Sequence, residues 1–302
     1  MKLASYKDGS RDGQLVVVSG DLGSAHYATG IATRLQQVLD DWNFLSPQLQ
    51  ELSQTLDHGK ARHAFPFDPR LCLAPLPRAF LWAEPGPGDD MGMPLPGRSD
   101  AFLGPCDPVA CGDGMADVQV QLAALTGDLA AGTGPHAALD GVRLLLLTDI
   151  GRWWNDAEAA GTGRPDGSWQ GFAPVAITPD ELGAAWQGGR ATARLEVRRN
   201  GQRLDTAAVS GHPQVHLGEL MACLAAGRGL PAGSLVGAGA AVRDGAATGD
   251  GWIAARRRSE ASAGGLPTTA WLRAGDRLQL DATDDAGRSL FGAVERLCAG
   301  AA

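Results

Sequence analysis

Short apolar segments separated by turn residues fill the second half of the chain, and this pattern constrains the fold more than any other feature. Six segments have the length and composition of strands: 117–126, 143–149, 192–199, 234–240, 251–255 and 277–283. Among them a helix is predicted at 216–228, where apolar residues recur on one face and Gly229 follows. A series of strands with few helices between them argues against a doubly wound parallel sheet. The 42 glycines supply many turns and also favour a β-rich fold.

The first hundred residues have a different character. The apolar run at 14–21 follows a turn-prone stretch and predicts a strand in an N-terminal hairpin. Residues 28–56 show near-helical spacing of apolar residues, which predicts two helices broken at "SPQ", with Pro47 in a first helical turn. The Pro- and Gly-rich stretch at 63–100 is typical of a domain junction that leads into an exposed loop.

Charge and cysteine content exclude several function classes. The formal net charge is −8 and the sequence pI is about 5.2, so a nucleic-acid partner is not expected. The chain shows neither a signal-peptide pattern nor an apolar run long enough to span a membrane, and a cytoplasmic location is the expectation. The five cysteines form no CxxC pair, so they do not predict a zinc site. Between His212 and His216, Pro213 prevents a regular helix, which argues against a metal site there; His216 is expected to start a helix.

Gln119 and Gln121 are the unusual feature of the strand predicted at 117–126. They lie two residues apart, so both side chains project from the same face of the strand. By itself this is the pattern of an ordinary polar strand face.

Several stretches, in order along nearly the whole chain, resemble the fumarylacetoacetate hydrolase family in its bacterial form with a short N-terminal domain. The matching stretches are "KLASYKDGSRDGQLVVVSGDL", "ALTGD", "FAPVAITPDELG", "PAGSLVGAGA" and "GDRLQLDATDDAGRSLFGAVE". The resemblance implies a mainly β fold with some α structure: a mixed β-sandwich roll with a small N-terminal α+β domain. The expected division is 1–72 for the small domain and 73–302 for the β-roll domain. The family uses a divalent metal and an acid/base pair to cleave a carbon–carbon bond in β-diketone-type substrates.

At the family's metal-ligand positions, the resemblance places Gln119 and Gln121 where two glutamates are expected, and Asp149 where the third ligand is expected. Hard cations such as Mg²⁺ prefer carboxylate oxygens. Each lost carboxylate removes a gross attraction to a dication on the order of 10 kcal/mol at an effective dielectric near 20. The sequence therefore predicts that Asp149 alone does not hold a metal.

The family's other functional positions are also substituted. The segment that should carry the general-base histidine contains none. Gly167 to Gln170 stand where a lysine is expected, Ala240 replaces the threonine of an "SGT"-type turn, and Ala255 stands for the glutamate that partners the histidine. Arg152 is a candidate pocket residue that could bind a carboxylate, although an ordinary surface arginine is the more common case. Trp153 is a second candidate, and a tryptophan in the pocket would fill space that metal and substrate would otherwise need. Of the adjacent tryptophans Trp153 and Trp154, only one can face the pocket.

Together these positions predict a protein with the family's fold that has lost metal-dependent hydrolysis and binds no metal. It would act as a binder of a small organic acid or dicarbonyl compound, as a metal-free enzyme with a rebuilt pocket, or as an inactive subunit beside an active paralogue. A homodimer is expected. The alternative is an active Mg²⁺- or Mn²⁺-dependent hydrolase, isomerase or decarboxylase of keto acids, with other metal ligands. The candidates for such ligands are Asp107, Asp113, Asp117 and Glu158.

Overall fold

The computed structural model describes residues 1–85, 94–111, 114–154, 167–209, 215–240 and 251–300. Within these residues the fold is mostly β, as the sequence predicts. The strands of the N-terminal third are β1 (Lys2–Tyr6), β2 (Gln14–Val18), β3 (Ser24–Tyr27), β4 (Phe65–Pro66), β5 (Leu81–Glu84) and β6 (Leu95–Pro96). The central strands are β7 (Val109–Cys111), β8 (Met115–Thr126), β9 (Val142–Trp154), β10 (Gly167–Phe172), β11 (Ala176–Ile177), β12 (Trp186–Gln187) and β13 (Arg190–Ala191). The remaining strands are β14 (Ala193–Arg199), β15 (Gln202–Val209), β16 (Ser234–Ala240), β17 (Arg277–Thr283) and β18 (Val294–Gly300).

Five α-helices accompany these strands in the described part of the chain. They are α1 (Leu35–Asp40), α2 (Trp42–Asp57), α3 (Pro135–Leu139), α4 (Leu217–Ala225) and α5 (Trp252–Ser262). None of the helices in the described ranges is both long enough and apolar enough to cross a membrane.

One large sheet forms the middle layer of the molecule. Its strand order is β4-β3-β2-β1-β11-β9-β8-β16-β5-β6, and β10 pairs with β9 on the same side as β11. The N-terminal hairpin β1–β2 joins this sheet through β11, where Lys2 pairs with Ile177. The long strands β8 and β9 run antiparallel at its centre, with Gln119 opposite Ile150 and Gln121 opposite Thr148.

The two faces of this sheet are covered differently. On one face, Val120 and Leu122 of β8 belong to a hydrophobic cluster with Leu195 and Leu280 of the five-stranded sheet β15-β14-β17-β18-β7. The two sheets thus form a sandwich. On the other face, alternate residues of β8 and β9 such as Leu125 pack in a second cluster with apolar residues of α1 and α2. Period-two alternation along β8 supplies side chains to both layers.

Several predicted elements are present with small shifts in their ends, and two differ. The predicted strand at 251–255 is wrong, because these residues begin α5. The predicted helix break at "SPQ" is also wrong, since the break lies at Asp41 and Pro47 is inside α2. Pro47 lies only six residues into α2, where it removes one backbone donor, and the buried Leu49 continues the apolar face beyond it.

His216 caps the start of α4, as predicted. Its ring nitrogen accepts the N–H of Gly218, and the Glu219 carboxylate accepts the backbone N–H of His216 in return. These two bonds satisfy donors that a helix N-terminus leaves without partners. His212 lies outside the described residues.

Candidate functional site

The candidate site is built on one face of β8. Asp117, Gln119 and Gln121 project from this face at alternate positions and are 5%, 8% and 1% exposed. The residues opposite them on β9 are Arg152, Ile150 and Thr148, so the same face of β9 carries Arg152. Buried polar side chains require hydrogen-bond partners, and each of these three binds a different element.

Gln121 links β8 to β16, which pairs with it, and to β5 on the far side of β16. Its Oε1 accepts the backbone N–H of Gly239 at 2.8 Å, and its Nε2 donates to Oε2 of Glu84 at 2.8 Å. The ladder between β16 and β8 is irregular between Gly237 and Ala240, and Gly239 has φ +90°, a conformation that favours glycine. Gly237 also has to be small, because a Cβ there would lie 2.7 Å from Gln121 Oε1.

Arg152 completes the group. Its Nη1 donates to Oε1 of Gln119 at 2.8 Å and its Nη2 donates to Oε1 of Glu84 at 2.9 Å. The Arg152 and Glu84 side chains are 30% and 20% exposed, so the group reaches the surface. We call Glu84, Gln119, Gln121 and Arg152 the Glu84–Arg152 cluster. It contains one carboxylate, one guanidinium and two uncharged amides, and its formal charge is therefore zero.

Asp117 holds the start of α5. Its Oδ1 accepts the backbone N–H of Ile253 at 2.8 Å, and its Oδ2 accepts that of Ala254 at 2.9 Å. A Cβ on Gly251, the N-cap of α5, would lie 2.3 Å from the Asp117 carboxylate carbon, so only glycine permits this approach. A carboxylate at a helix N-terminus pairs with backbone donors and with the positive end of the helix dipole. This position explains why 251–255 is helical.

Asp117→Ala is expected to lower the free energy of unfolding by about 1–2 kcal/mol, because it removes the acceptor of two buried helix N–H groups. Urea denaturation measures the change, and amide hydrogen exchange at Ile253 and Ala254 reports its location. Asp117→Asn keeps a side-chain oxygen and is expected to lose less. Unchanged exchange at both amides in the alanine variant would contradict the anchoring role.

Asp149 does not join the Glu84–Arg152 cluster. It lies opposite Val120 on the other face of the large sheet, because residues one apart on a strand project in opposite directions. There Arg296 of β18 donates from Nε and Nη2 to the two carboxylate oxygens at 2.9 and 2.8 Å. Trp169 Nε1 donates to Oδ2 at 3.0 Å. Both members of the ion pair are fully buried. The expectation that Asp149 shares a pocket with the two glutamines is therefore not met.

The Asp149–Arg296 pair joins the two sheets of the sandwich. Arg296 also donates to the carbonyl oxygens of Gly104 and Asp107. Gly171 has to lack a side chain, since a Cβ there would lie 1.7 Å from Arg296 Nη2. The Asp107 carboxylate accepts the N–H of Gly104 and pairs with Lys7 at 3.0 Å. Asp107 therefore belongs to the contacts around the Asp149–Arg296 pair and is not part of the Glu84–Arg152 cluster.

The other residues predicted for the site lie on different elements, and only some of them are near the Glu84–Arg152 cluster. Ala240 pairs directly with Gln121, and Ala255 lies in the first turn of α5, one residue after Ala254, whose N–H donates to Asp117. Gln170 pairs with Ile150 from the far side of β9. Trp153 faces the sandwich side, where it packs over Gly167. Trp153 and Trp154 thus project from opposite faces, as the strand pattern predicts. Asp113 and Glu158 lie outside the described residues.

Glu84 is the site residue that the sequence analysis missed. It ends the apolar run "AFLWAE" of β5, and an acidic residue at the end of a buried strand is the only local signal of its role. Its position beside Gln121 depends on β16, which separates β5 from β8 in the sheet. That strand order cannot be derived from the residues around Glu84.

The described residues offer a poor donor set for a divalent cation. Nowhere in the described ranges do three His, Cys, Asp or Glu side chains form a group that could hold a metal ion. In the Glu84–Arg152 cluster, both amide oxygens and both carboxylate oxygens already accept hydrogen bonds. The positive charge of the group is supplied by Arg152.

Two family models match the chain. The model described as "Fumarylacetoacetase N-terminal domain 2" matches residues 1–78, and the model described as "Fumarylacetoacetate (FAA) hydrolase C-terminal" matches residues 90–295. No curated protein sequence matches the chain.

Solved structures share the fold over the full length of the chain. Maleylpyruvate hydrolase from Sphingobium sp. SYK-6 is 14% identical with a TM-score of 0.66, and 100% of each chain is covered. The structure of maleylpyruvate hydrolase from that source in complex with manganese(II) and pyruvate is 15% identical, with a TM-score of 0.66 and 100% of each chain covered. Fumarylacetoacetate hydrolase from Exiguobacterium antarcticum is 16% identical, with a TM-score of 0.65 and 100% of each chain covered. At these identities the similarity establishes the fold.

Proposed function

Because the chain belongs to the fumarylacetoacetate hydrolase family, we propose that it uses the family's fold to bind a small organic molecule without a divalent metal. The binding site is the Glu84–Arg152 cluster and the backbone of β16 beside it. In this proposal the protein keeps the family's fold but does not carry out metal-dependent hydrolysis of a carbon–carbon bond.

The position of Arg152 is the observation that carries the proposal. Its guanidinium donates to Gln119, one of the two amides at the family's ligand positions, and to Glu84, which itself accepts from the second amide, Gln121. The guanidinium of Arg152 therefore already supplies a positive charge within the Glu84–Arg152 cluster. Because Arg152 is part of the protein, the cluster needs no bound metal to supply that charge.

A divalent cation does not fit among these residues. A dication about 4 Å from a guanidinium is repelled by about 8 kcal/mol at an effective dielectric near 20. To bind, it would have to displace Arg152 from Gln119 and Glu84. Glu84 would then be the one carboxylate of the cluster facing the metal, whereas hard cations are usually held by several oxygen ligands with more negative charge.

The proposed binding role is compatible with three modes of action: a ligand-binding protein, a metal-free catalyst, or an inactive subunit beside an active paralogue. Binding of a small molecule is common to the first two, and it is therefore the activity that we propose. The homodimer expected from the resemblance stays a prediction.

Millimolar Mn²⁺ or Mg²⁺ is expected to leave the thermal unfolding midpoint unchanged. A ligand that binds only the folded state raises the midpoint once its concentration exceeds its dissociation constant. Differential scanning calorimetry with the metal, compared with EDTA, measures this directly. A reproducible rise of several degrees would overturn the metal-free proposal.

A second candidate is a metal-dependent hydrolase or isomerase of keto acids. It is favoured by the manganese and pyruvate complex of maleylpyruvate hydrolase, which shares the fold over the whole chain. In that case Glu84 would supply one ligand, and the metal experiment above separates the two candidates.

A further inference from the structure

Glu84 uses both of its carboxylate oxygens within the Glu84–Arg152 cluster. Oε1 accepts from Arg152 Nη2 at 2.9 Å, and Oε2 accepts from Gln121 Nε2 at 2.8 Å. Gln121 is itself held by the N–H of Gly239 at 2.8 Å and is 1% exposed, so the partner of Oε2 is fixed in place. Glu84 is therefore held in the orientation that pairs it with Arg152.

The pairing of Glu84 with Arg152 affects how strongly the cluster attracts or repels a charged ligand. The guanidinium is the cation of the cluster, and Glu84 already compensates its charge. Asp117, directly opposite Arg152 on β8, contributes a second anion. A ligand carboxylate beside Arg152 would compete with Glu84 for the same donor and would lie close to two carboxylates of like charge.

Uncharged acceptors meet no such repulsion. The two bonds to Gln119 and Glu84 use two of the five N–H donors of a guanidinium. A ketone, ester or amide oxygen can accept from an arginine while the charge of the arginine stays compensated. The 30% exposure of the Arg152 side chain leaves it within reach of a ligand.

We propose that Glu84 is a specificity-determining residue that keeps carboxylates away from Arg152, so that the site takes uncharged carbonyl compounds in preference to keto acids. This inference rests on the proposed metal-free binding function, because it treats Arg152 as the cation of the site. It narrows that function to a class of ligand.

The test compares pyruvate with methyl pyruvate, which keeps the ketone but carries an uncharged methyl ester in place of the carboxylate. Both are titrated by isothermal calorimetry in EDTA against the wild-type protein and Glu84→Gln. The Glu84→Gln variant keeps the shape and a side-chain oxygen but leaves the Arg152 charge uncompensated. We expect its affinity for pyruvate to exceed that of the wild type by about tenfold or more, as for a charge-assisted hydrogen bond. The affinity for methyl pyruvate is expected to differ little between Glu84→Gln and the wild type.

Two control variants show whether Arg152 causes the gain. Glu84→Gln combined with Arg152→Gln should lose the added affinity for pyruvate, and Arg152→Gln alone should show none. Far-UV circular dichroism and thermal unfolding confirm that each variant is folded. If Glu84→Gln binds pyruvate no better than the wild type, or gains equally for methyl pyruvate, the inference is wrong.

Thermal unfolding with Mn²⁺ distinguishes failure of the inference about Glu84 from failure of the proposed metal-free function. Stabilisation of the wild type by Mn²⁺ would overturn the metal-free function whatever the pyruvate titration gives. An unchanged midpoint with Mn²⁺, together with no pyruvate gain in Glu84→Gln, would overturn the role of Glu84 alone.

Discussion

Arg296→Met is expected to lower the free energy of unfolding by about 3–5 kcal/mol, because it leaves the buried Asp149 carboxylate without its cation. Both side chains are fully buried, and two hydrogen bonds of 2.8 and 2.9 Å join them between the sheets. Methionine fills much of the space of the arginine but supplies no charge and no N–H donor. Equilibrium urea denaturation, followed by tryptophan fluorescence, measures the loss.

A second substitution and an exposed ion pair serve as controls for this prediction. Arg296→Met combined with Asp149→Asn removes the unpaired charge and keeps an oxygen for Trp169 Nε1, so it is expected to recover part of the lost stability. Arg98 pairs with Asp100 at the surface, where the side chains are 84% and 66% exposed, and Arg98→Met is expected to change stability little. Equal effects of Arg296→Met and Arg98→Met would contradict the role assigned to the buried pair.

Mn²⁺ affinity is expected to appear when Gln119→Glu, Gln121→Glu and Arg152→Ala are combined. With Glu84, the combined variant has three carboxylates in the cluster and no guanidinium. Each added carboxylate contributes a gross attraction to a dication on the order of 10 kcal/mol at an effective dielectric near 20, and desolvation offsets much of it. A rise of several degrees in the thermal midpoint is expected when Mn²⁺ exceeds its dissociation constant about 100-fold, which corresponds to about 2.7 kcal/mol.

Retaining Arg152 tests the reason for this gain. The double variant Gln119→Glu with Gln121→Glu should bind Mn²⁺ more weakly than the triple variant, since Arg152 can pair with the new carboxylates and repel the metal. Neither variant is expected to hydrolyse an acylpyruvate, because the resemblance predicts other residues at the family's histidine, lysine and glutamate positions. Mn²⁺ binding that is equal with and without Arg152 would argue against the guanidinium as the group that excludes the metal.

The elements that the sequence predicted well are those in which local pattern and packing agree. Alternating residues in β8 and the apolar runs of β9 and β16 predict strands because each strand buries apolar side chains. The helix at α4 was predicted with its start, since His216 and Glu219 form a cap from residues adjacent in sequence. The ordered family segments predicted the fold class and the family, both of which are confirmed.

The predicted strand at 251–255 failed because the decisive contact is distant in sequence. Ile253 and Ala254 donate to Asp117, which lies 136 and 137 residues earlier in the chain. The local apolar pattern is too short to distinguish a strand from the first turn of a helix. A carboxylate brought to the helix N-terminus by β8 supplies the missing acceptors.

The sequence by itself determined the β-rich fold, the family and the shared face of Gln119 and Gln121, since these depend on residue type and on the two-residue period of a strand. Only the tertiary structure decided which charged groups accompany the glutamines. It brings Glu84 and Arg152 to them from separate strands, and it pairs Asp149 with Arg296 on the opposite face of the sheet. The physical reason is that a buried charge is costly unless it is paired, and the order and register of the strands decide which oppositely charged group lies within reach.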